Sequence, residues 1–317
     1  MEQGINKKEI SFCTAFSLPA HKPSAVRPLF FAFSTLCSLL IALFLCFAQN
    51  TFAQDIEAID VVNHPVNTSG LTGLLFTTAP YTLNTGTVEV GVSLLSENSV
   101  KPDFSITQYP LSVTVGLPHN AEFAVRSSYF SIREGPTSTT HAVRKTGDVN
   151  LFYKWNFLPP KEDSIRPAFA LILGGSLPTG KNTERKIDAV NHWGVRAGIS
   201  GGTEISWKEH ILGIYADAQA VGQDLTEKRI NDLYGIYNVG LLLPISKYQN
   251  LQMFMEYSVV EGRKRIPLDG GNYSGLTYGL RLVSEQFNLT IGTQFLHKTT
   301  ENYGNSDRTI AMLSMKF

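Results

Sequence analysis

The stretch Phe287-Asn288-Leu289-Thr290-Ile291-Gly292-Thr293-Gln294-Phe295-Leu296-His297 decides the fold. Phe287, Leu289, Ile291, Thr293 and Phe295 fall on one side of a two-residue repeat, and Asn288, Thr290, Gly292 and Gln294 fall on the other. Successive side chains of a strand point to opposite faces, so this piece reads as a strand with one apolar and one polar face. Eleven further pieces alternate similarly, with lapses: Val88–Leu94, Leu111–Leu117, Phe123–Tyr129, Val149–Phe157, Phe169–Leu177, Trp193–Ile199, Leu212–Ala218, Tyr237–Leu243, Met253–Val259, Leu276–Leu282 and Ala311–Phe317. Beyond Gly86 no helical period of any length interrupts them.

Alternation alone also suits a soluble sandwich. The connectors discriminate. In chain order, odd-to-even connections are long and polar, near Ser96–Phe104, Arg133–Gly147, Pro178–Asn191, Gly222–Asp232, Glu261–Gly271 and Lys298–Arg308. Even-to-odd connections are mostly shorter: Pro118–Asn120, Pro159–Ile165, Trp207–Glu209, Pro244–Gln249 and Ser284–Gln286. A membrane barrel keeps this rhythm, with short periplasmic turns, longer outer loops and both termini inside. Hydrocarbon excludes an open sheet edge, and an even strand count lets the first and last strands pair antiparallel. The expectation is an all-β protein of the bacterial outer membrane. Residues 86–317 would form a closed antiparallel transmembrane β-barrel of about twelve strands, each crossing in about 9–11 residues.

Ahead of the barrel, Leu29 to Ala48 is an uncharged apolar run preceded by Lys7, Lys8, Lys22 and Arg27. Thr51-Phe52-Ala53 follows, placing small residues for a cut after Ala53. Residues 1–53 therefore read as a cleaved signal peptide, although the run is also long enough for an uncleaved anchor. Residues 54–85 lack a regular period and read as a periplasmic lead-in, or as a segment tucked into the lumen. Cys13, Cys37 and Cys46 all precede Ala53, so the exported chain would carry no thiol, which suits an oxidising compartment.

Charge narrows the function classes. The chain balances 27 Lys+Arg against 27 Asp+Glu, which removes the basic footprint of a nucleic-acid binder. Alternation turns Glu89, Glu122, Asp148, Asp217 and Glu256 inward, together with Arg126, Lys154, Arg196, Arg281 and Lys316. A charge facing lipid near the midplane costs up to about 2–4 kcal/mol, so the lumen is the favourable place for all ten. They read either as ion pairs that brace and close the barrel or as a polar pore wall. Phe152, Tyr215 and Phe254 also point inward and would narrow the passage.

Motifs for chemistry are weak. Gly175-Ser176-Leu177-Pro178-Thr179-Gly180-Lys181 has the spacing of a phosphate-binding loop, but Asn182 stands where Ser or Thr would hold magnesium. Gly198-Ile199-Ser200-Gly201-Gly202 spells a nucleophile elbow inside a glycine-rich strand rather than at a strand-to-helix turn. His21, His64, His119, His141, His192, His210 and His297 show no metal-ligand spacing. The reading is of no enzyme, no metal and no cofactor. Arg144, Lys145, Lys181, Arg185, Lys186 and Arg263-Lys264-Arg265 lie in outer loops, where they would meet lipopolysaccharide phosphates or simply water.

The chain resembles the outer-membrane β-barrel porins and transporters associated with phenol-degradation (MetA-pathway) gene clusters. The resembling pieces are Gly73-Leu74-Leu75-Phe76-Thr77-Thr78-Ala79-Pro80 with Leu83 and Gly86, then Gly147-Asp148-Val149-Asn150-Leu151, then Leu177-Pro178-Thr179-Gly180. Leu313, Met315 and terminal Phe317 look like the signal read by the barrel-insertion machinery. The resemblance implies transport and assigns no catalytic residue. A passive channel for small solutes, such as small aromatic or organic compounds, is expected, without strong ion selectivity because the wall charges balance. The alternatives are a sealed barrel with a structural or surface-interaction role and, behind it, a barrel lipid hydrolase. Lipid, lipopolysaccharide and the insertion machinery are the expected partners.

Overall fold

The computed structural model describes residues 64–100, 103–134, 143–160, 167–180, 192–207, 210–226, 229–245, 250–263, 271–299 and 304–317. The signal peptide read at 1–53, residues 54–63 and the loop cations Lys181, Arg185, Lys186, Lys264 and Arg265 lie outside the described residues.

One antiparallel sheet contains every strand: β1 (Val88–Val100), β2 (Asp103–Leu117), β3 (Ala121–Glu134), β4 (Val143–Thr146), β5 (Val149–Leu158), β6 (Ala168–Leu177), β7 (Gly194–Trp207), β8 (His210–Thr226), β9 (Arg229–Pro244), β10 (Leu251–Glu261), β11 (Tyr273–Val283), β12 (Phe287–Lys298) and β13 (Ser306–Lys316). β4 and β5 are two pieces of one wall strand. β4 pairs with β3 at Tyr129–Ile132, and β5 pairs with the same strand at Ala121–Arg126, with Gly147-Asp148 between them. The wall therefore has twelve strand positions, and β1 pairs with β13 to close it. Closure leaves no edge, as a structure standing in hydrocarbon requires.

The sequence pattern accounts for the two faces. Along β10, Leu251, Met253, Met255 and Tyr257 are exposed while Gln252, Phe254, Glu256 and Ser258 are buried. Tyr278 and Phe295, Trp155 and Phe157, and Tyr109 and Tyr129 form ring contacts on the exposed side. So much exposed apolar and aromatic surface is stable only against lipid. The fold is that of a bacterial outer-membrane β-barrel.

Several strands run further than their apolar bands. Two of the long outer connections read from the sequence, Ser96–Phe104 and Gly222–Asp232, are mostly strand. β1 continues to Val100 and β2 begins at Asp103, while β8 continues to Thr226 and β9 begins at Arg229. β3, β4 and β12 likewise extend into stretches read as loop. Beyond the lipid layer both faces of a strand can be polar, so the loss of alternation marks the end of the apolar band and not of the backbone pairing.

Candidate functional site: the filled lumen

Residues 64–85 enter the barrel and fill part of it. The segment has little regular structure and is held by short-range turns: Asn67 N–H donates to Leu71 O at 2.7 Å, Leu74 N–H to Thr77 O at 2.9 Å and Ala79 N–H to Thr72 O at 3.1 Å. Leu74, Leu75 and Ala79 pack with the inward Leu95, Tyr215, Leu242, Phe254, Ile310 and Met312 of the wall. Leu71 packs with Ala124, Phe152 and Ile172. Gly240 makes room for this plug: a Cβ there would strike Leu74 and crowd Thr77.

A coil inside a barrel has few backbone partners of its own, and the wall supplies them. Glu256 receives three consecutive amides, Leu75 N–H at 3.1 Å, Phe76 N–H at 3.0 Å and Thr77 N–H at 2.7 Å. Asp217 accepts Thr78 N–H at 2.7 Å and is held in turn by Gln219 and Asn238. Glu122 accepts Thr72 N–H at 2.9 Å and Leu83 N–H at 3.1 Å, and Glu89 accepts Val66 N–H at 3.2 Å. The carbonyls are met by cations: Lys154 Nζ donates to Ala79 O at 3.0 Å and to Thr72 O at 3.3 Å, and Arg281 donates to Gly73 O at 2.8 Å. Lys154 is also paired with Glu122 at 2.9 Å, with both side chains fully buried. Hydrogen bonds to charged groups contribute about 1.5–3 kcal/mol each, so this is a firm seat. Because Glu89 and Glu122 lie at the ends of β1 and β3 nearest the chain termini, the plug occupies the periplasmic half.

The ten inward charges read from the sequence fall into two sets. Glu89, Glu122, Lys154, Asp217, Glu256 and Arg281 hold the plug, and Lys316 lies opposite Glu89 in the β1–β13 register. Asp148 serves the other end of the barrel, where it accepts Gly180 N–H at 2.8 Å and His192 N–H at 3.2 Å. Arg126 and Arg196 stand on the outer side of the plug. The Arg196 guanidinium lies over the Phe152 ring, 5.2 Å from its centroid, and the buried Nε of Arg126 has no hydrogen-bond partner. Phe152, Tyr215 and Phe254 are all buried on the inner face.

Two inward clusters were absent from the sequence reading. Glu97 of β1 binds Lys298 of β12 at 2.6 Å and Arg308 of β13 at 2.8 Å, across the seam where first and last strands meet. His64 Nε2 sits 2.6 Å from Glu204, stacks on Tyr81 with ring centroids 4.4 Å apart, and shares Glu204 with the Tyr215 hydroxyl. Glu97 and Glu204 continue the inward parity of Glu89 and Ser200, so extending the alternation past the apolar band would have found both. Nothing in the sequence around His64 signals its partner. Among the described residues no group of His, Cys, Asp and Glu is placed to hold a metal ion.

No protein-family model matches the chain, and no curated protein is similar to it. Solved structures do resemble it. An outer membrane channel from Pseudomonas putida F1 is 11% identical with a TM-score of 0.54, over 75% of this chain and 97% of that one. LpxR from Salmonella typhimurium is 9% identical with a TM-score of 0.48, over 73% of this chain and 99% of that one. The KdgM porin is 9% identical with a TM-score of 0.45, over 72% of this chain and 99% of that one. At such identities the likeness is one of fold, and it rests on the first of the three.

Proposed function

We propose that the protein is an outer-membrane channel for small solutes whose passage is closed at rest by its own N-terminal plug. The observation that carries this reading is the seat itself. Seven plug amides, those of Val66, Thr72, Leu75, Phe76, Thr77, Thr78 and Leu83, are satisfied by four wall carboxylates. These wall charges are groups that water could equally satisfy, so a barrel with the plug displaced would keep wettable carboxylates and cations beside the apolar residues that now pack on the plug. A barrel sealed for strength alone has no need of this chemistry, and an apolar core would serve it as well. The P. putida protein of the same fold is a channel, which agrees with the reading. Solutes to try first, following the phenol-cluster resemblance, are small aromatic and organic compounds.

The second reading, a permanently sealed barrel, is favoured by the fully buried Glu122–Lys154 pair. Solute flux separates the two. Proteoliposomes holding the refolded full chain, a chain lacking residues 64–85, and Glu256→Gln should be compared by swelling in small sugars and aromatic acids. We expect slow flux for the full chain and faster flux for both variants. Absence of flux through the chain without its plug would establish the sealed barrel instead. No catalytic role is assigned: the ordered His64–Glu204 contact is stacked beneath Tyr81 in the plug and holds that segment to β7.

A further inference from the structure

The ten wall charges balance in number but not in place. Every carboxylate among them is committed to backbone amides, four to the plug and Asp148 to the outer end. Lys154 shares Glu122, and Arg281 holds Gly73. Among the described residues, Arg126 and Arg196 have no carboxylate within ion-pair distance.

We propose that Arg126 and Arg196 form a binding site for a small organic carboxylate in the lumen, on the outer side of the plug. The strand register builds the site. Glu122, on the plug, and Arg126 are both on β3, two inward positions apart. Ser200 of β7 pairs with the plug-binding Asp217, and Arg196 lies two inward positions from it, toward the outside. By register the two cations fall in adjacent inward rows, Arg126 one inward step further from the plug-binding Glu122 row than Arg196. Between them Phe152, Gly174 and Arg196 are register partners on three successive strands. A Cβ at Gly174 would meet the Phe152 ring at 2.8 Å, so the glycine leaves space for the ring that Arg196 covers. The ring fixes one guanidinium through a cation–π contact while leaving its N–H groups free to donate. Asn150, the register partner of Arg126, and Ser176 beyond it add uncharged polar groups to the same row.

Two guanidinium groups on one stretch of inner wall with no described carboxylate in ion-pair reach repel each other, and the buried Arg126 Nε has no hydrogen-bond partner. A carboxylate answers both needs, because its planar pair of oxygens matches the guanidinium fork. Arg126 and Arg196 are part-buried, which leaves both open to lumen water. The transport meaning of the site rests on the channel reading, whereas its occupancy does not.

The test uses the refolded full chain in neutral detergent at constant ionic strength, with benzoate as probe and benzyl alcohol as its uncharged counterpart. We expect a saturable rise in unfolding temperature with benzoate and none with the alcohol. The rise should be lost in the double variant Arg126→Gln/Arg196→Gln and largely restored in Arg126→Lys/Arg196→Lys. No rise in the full chain, or an equal rise in the glutamine variant, would overturn the site. If that variant does not refold, loss of saturation in Arg196→Gln alone decides the matter. Reversal potentials in a KCl gradient give the transport readout on the full-length Glu256→Gln chain: a shift toward anion preference, reduced when the glutamine substitutions at Arg126 and Arg196 are added. Benzoate binding with no current in any variant would refute the channel while leaving the site standing.

Discussion

The two halves of the lumen use charge in opposite ways. Toward the termini Glu89, Glu122, Asp217 and Glu256 are capped by plug amides, and Lys154 and Arg281 reach plug carbonyls. Toward the outside Arg196 lies over the Phe152 ring and Arg126 keeps a buried Nε without a partner, neither having a described carboxylate in ion-pair reach. The first arrangement is what a permanent internal partner looks like, since plug amides and carbonyls are met by charged groups of the same chain. The second is what a vacant seat for a transient partner looks like, because the cost of unpaired donors is tolerable only where water, or a solute, can relieve it.

Substitutions in the two halves should therefore differ sharply. The largest loss is expected for Lys154→Met, which leaves buried Glu122 without its cation and should cost about 3–5 kcal/mol, read from chemical denaturation of the refolded barrel. Glu256→Gln should cost about 1–3 kcal/mol by removing the charged acceptor of three amides, and hydrogen exchange at Leu75, Phe76 and Thr77 should quicken locally. In the outer half Gly174→Ala should cost about 1 kcal/mol by pressing on Phe152, and it should weaken benzoate binding by displacing the ring beneath Arg196. Smallest of all, Arg126→Gln should change stability by no more than about 0.5 kcal/mol, because no ion pair is lost. A loss at Arg126 as large as that at Lys154 would erase the distinction between the halves.

The wall was legible in the sequence because a membrane barrel imposes one rule, period two, on every crossing, and β10 and β12 obey it almost without lapse. Strand ends were less legible at β1, β8 and β9, where the alternation fades in water while pairing continues. The plug left no periodic trace, since its order comes from contacts far along the chain, such as Thr77 with Glu256. Parity alone turned Arg126 and Arg196 inward. That they lack partners depends on where Asp148, Asp217 and Glu122 spend their lone pairs, which only the register of distant strands determines.

The Glu97 cluster bears on how the cylinder is fastened. β1 carries an inward acid near each end. Glu97 grips β12 and β13 at the outer rim, and Glu89 reaches Ser314 of β13 and Asn288 of β12 at the inner one. The first strand made is thus hooked twice to the last two made. A barrel assembled in chain order has its clasp ready before the strands that engage it exist, and peeling that joint apart must undo both hooks as well as the backbone ladder.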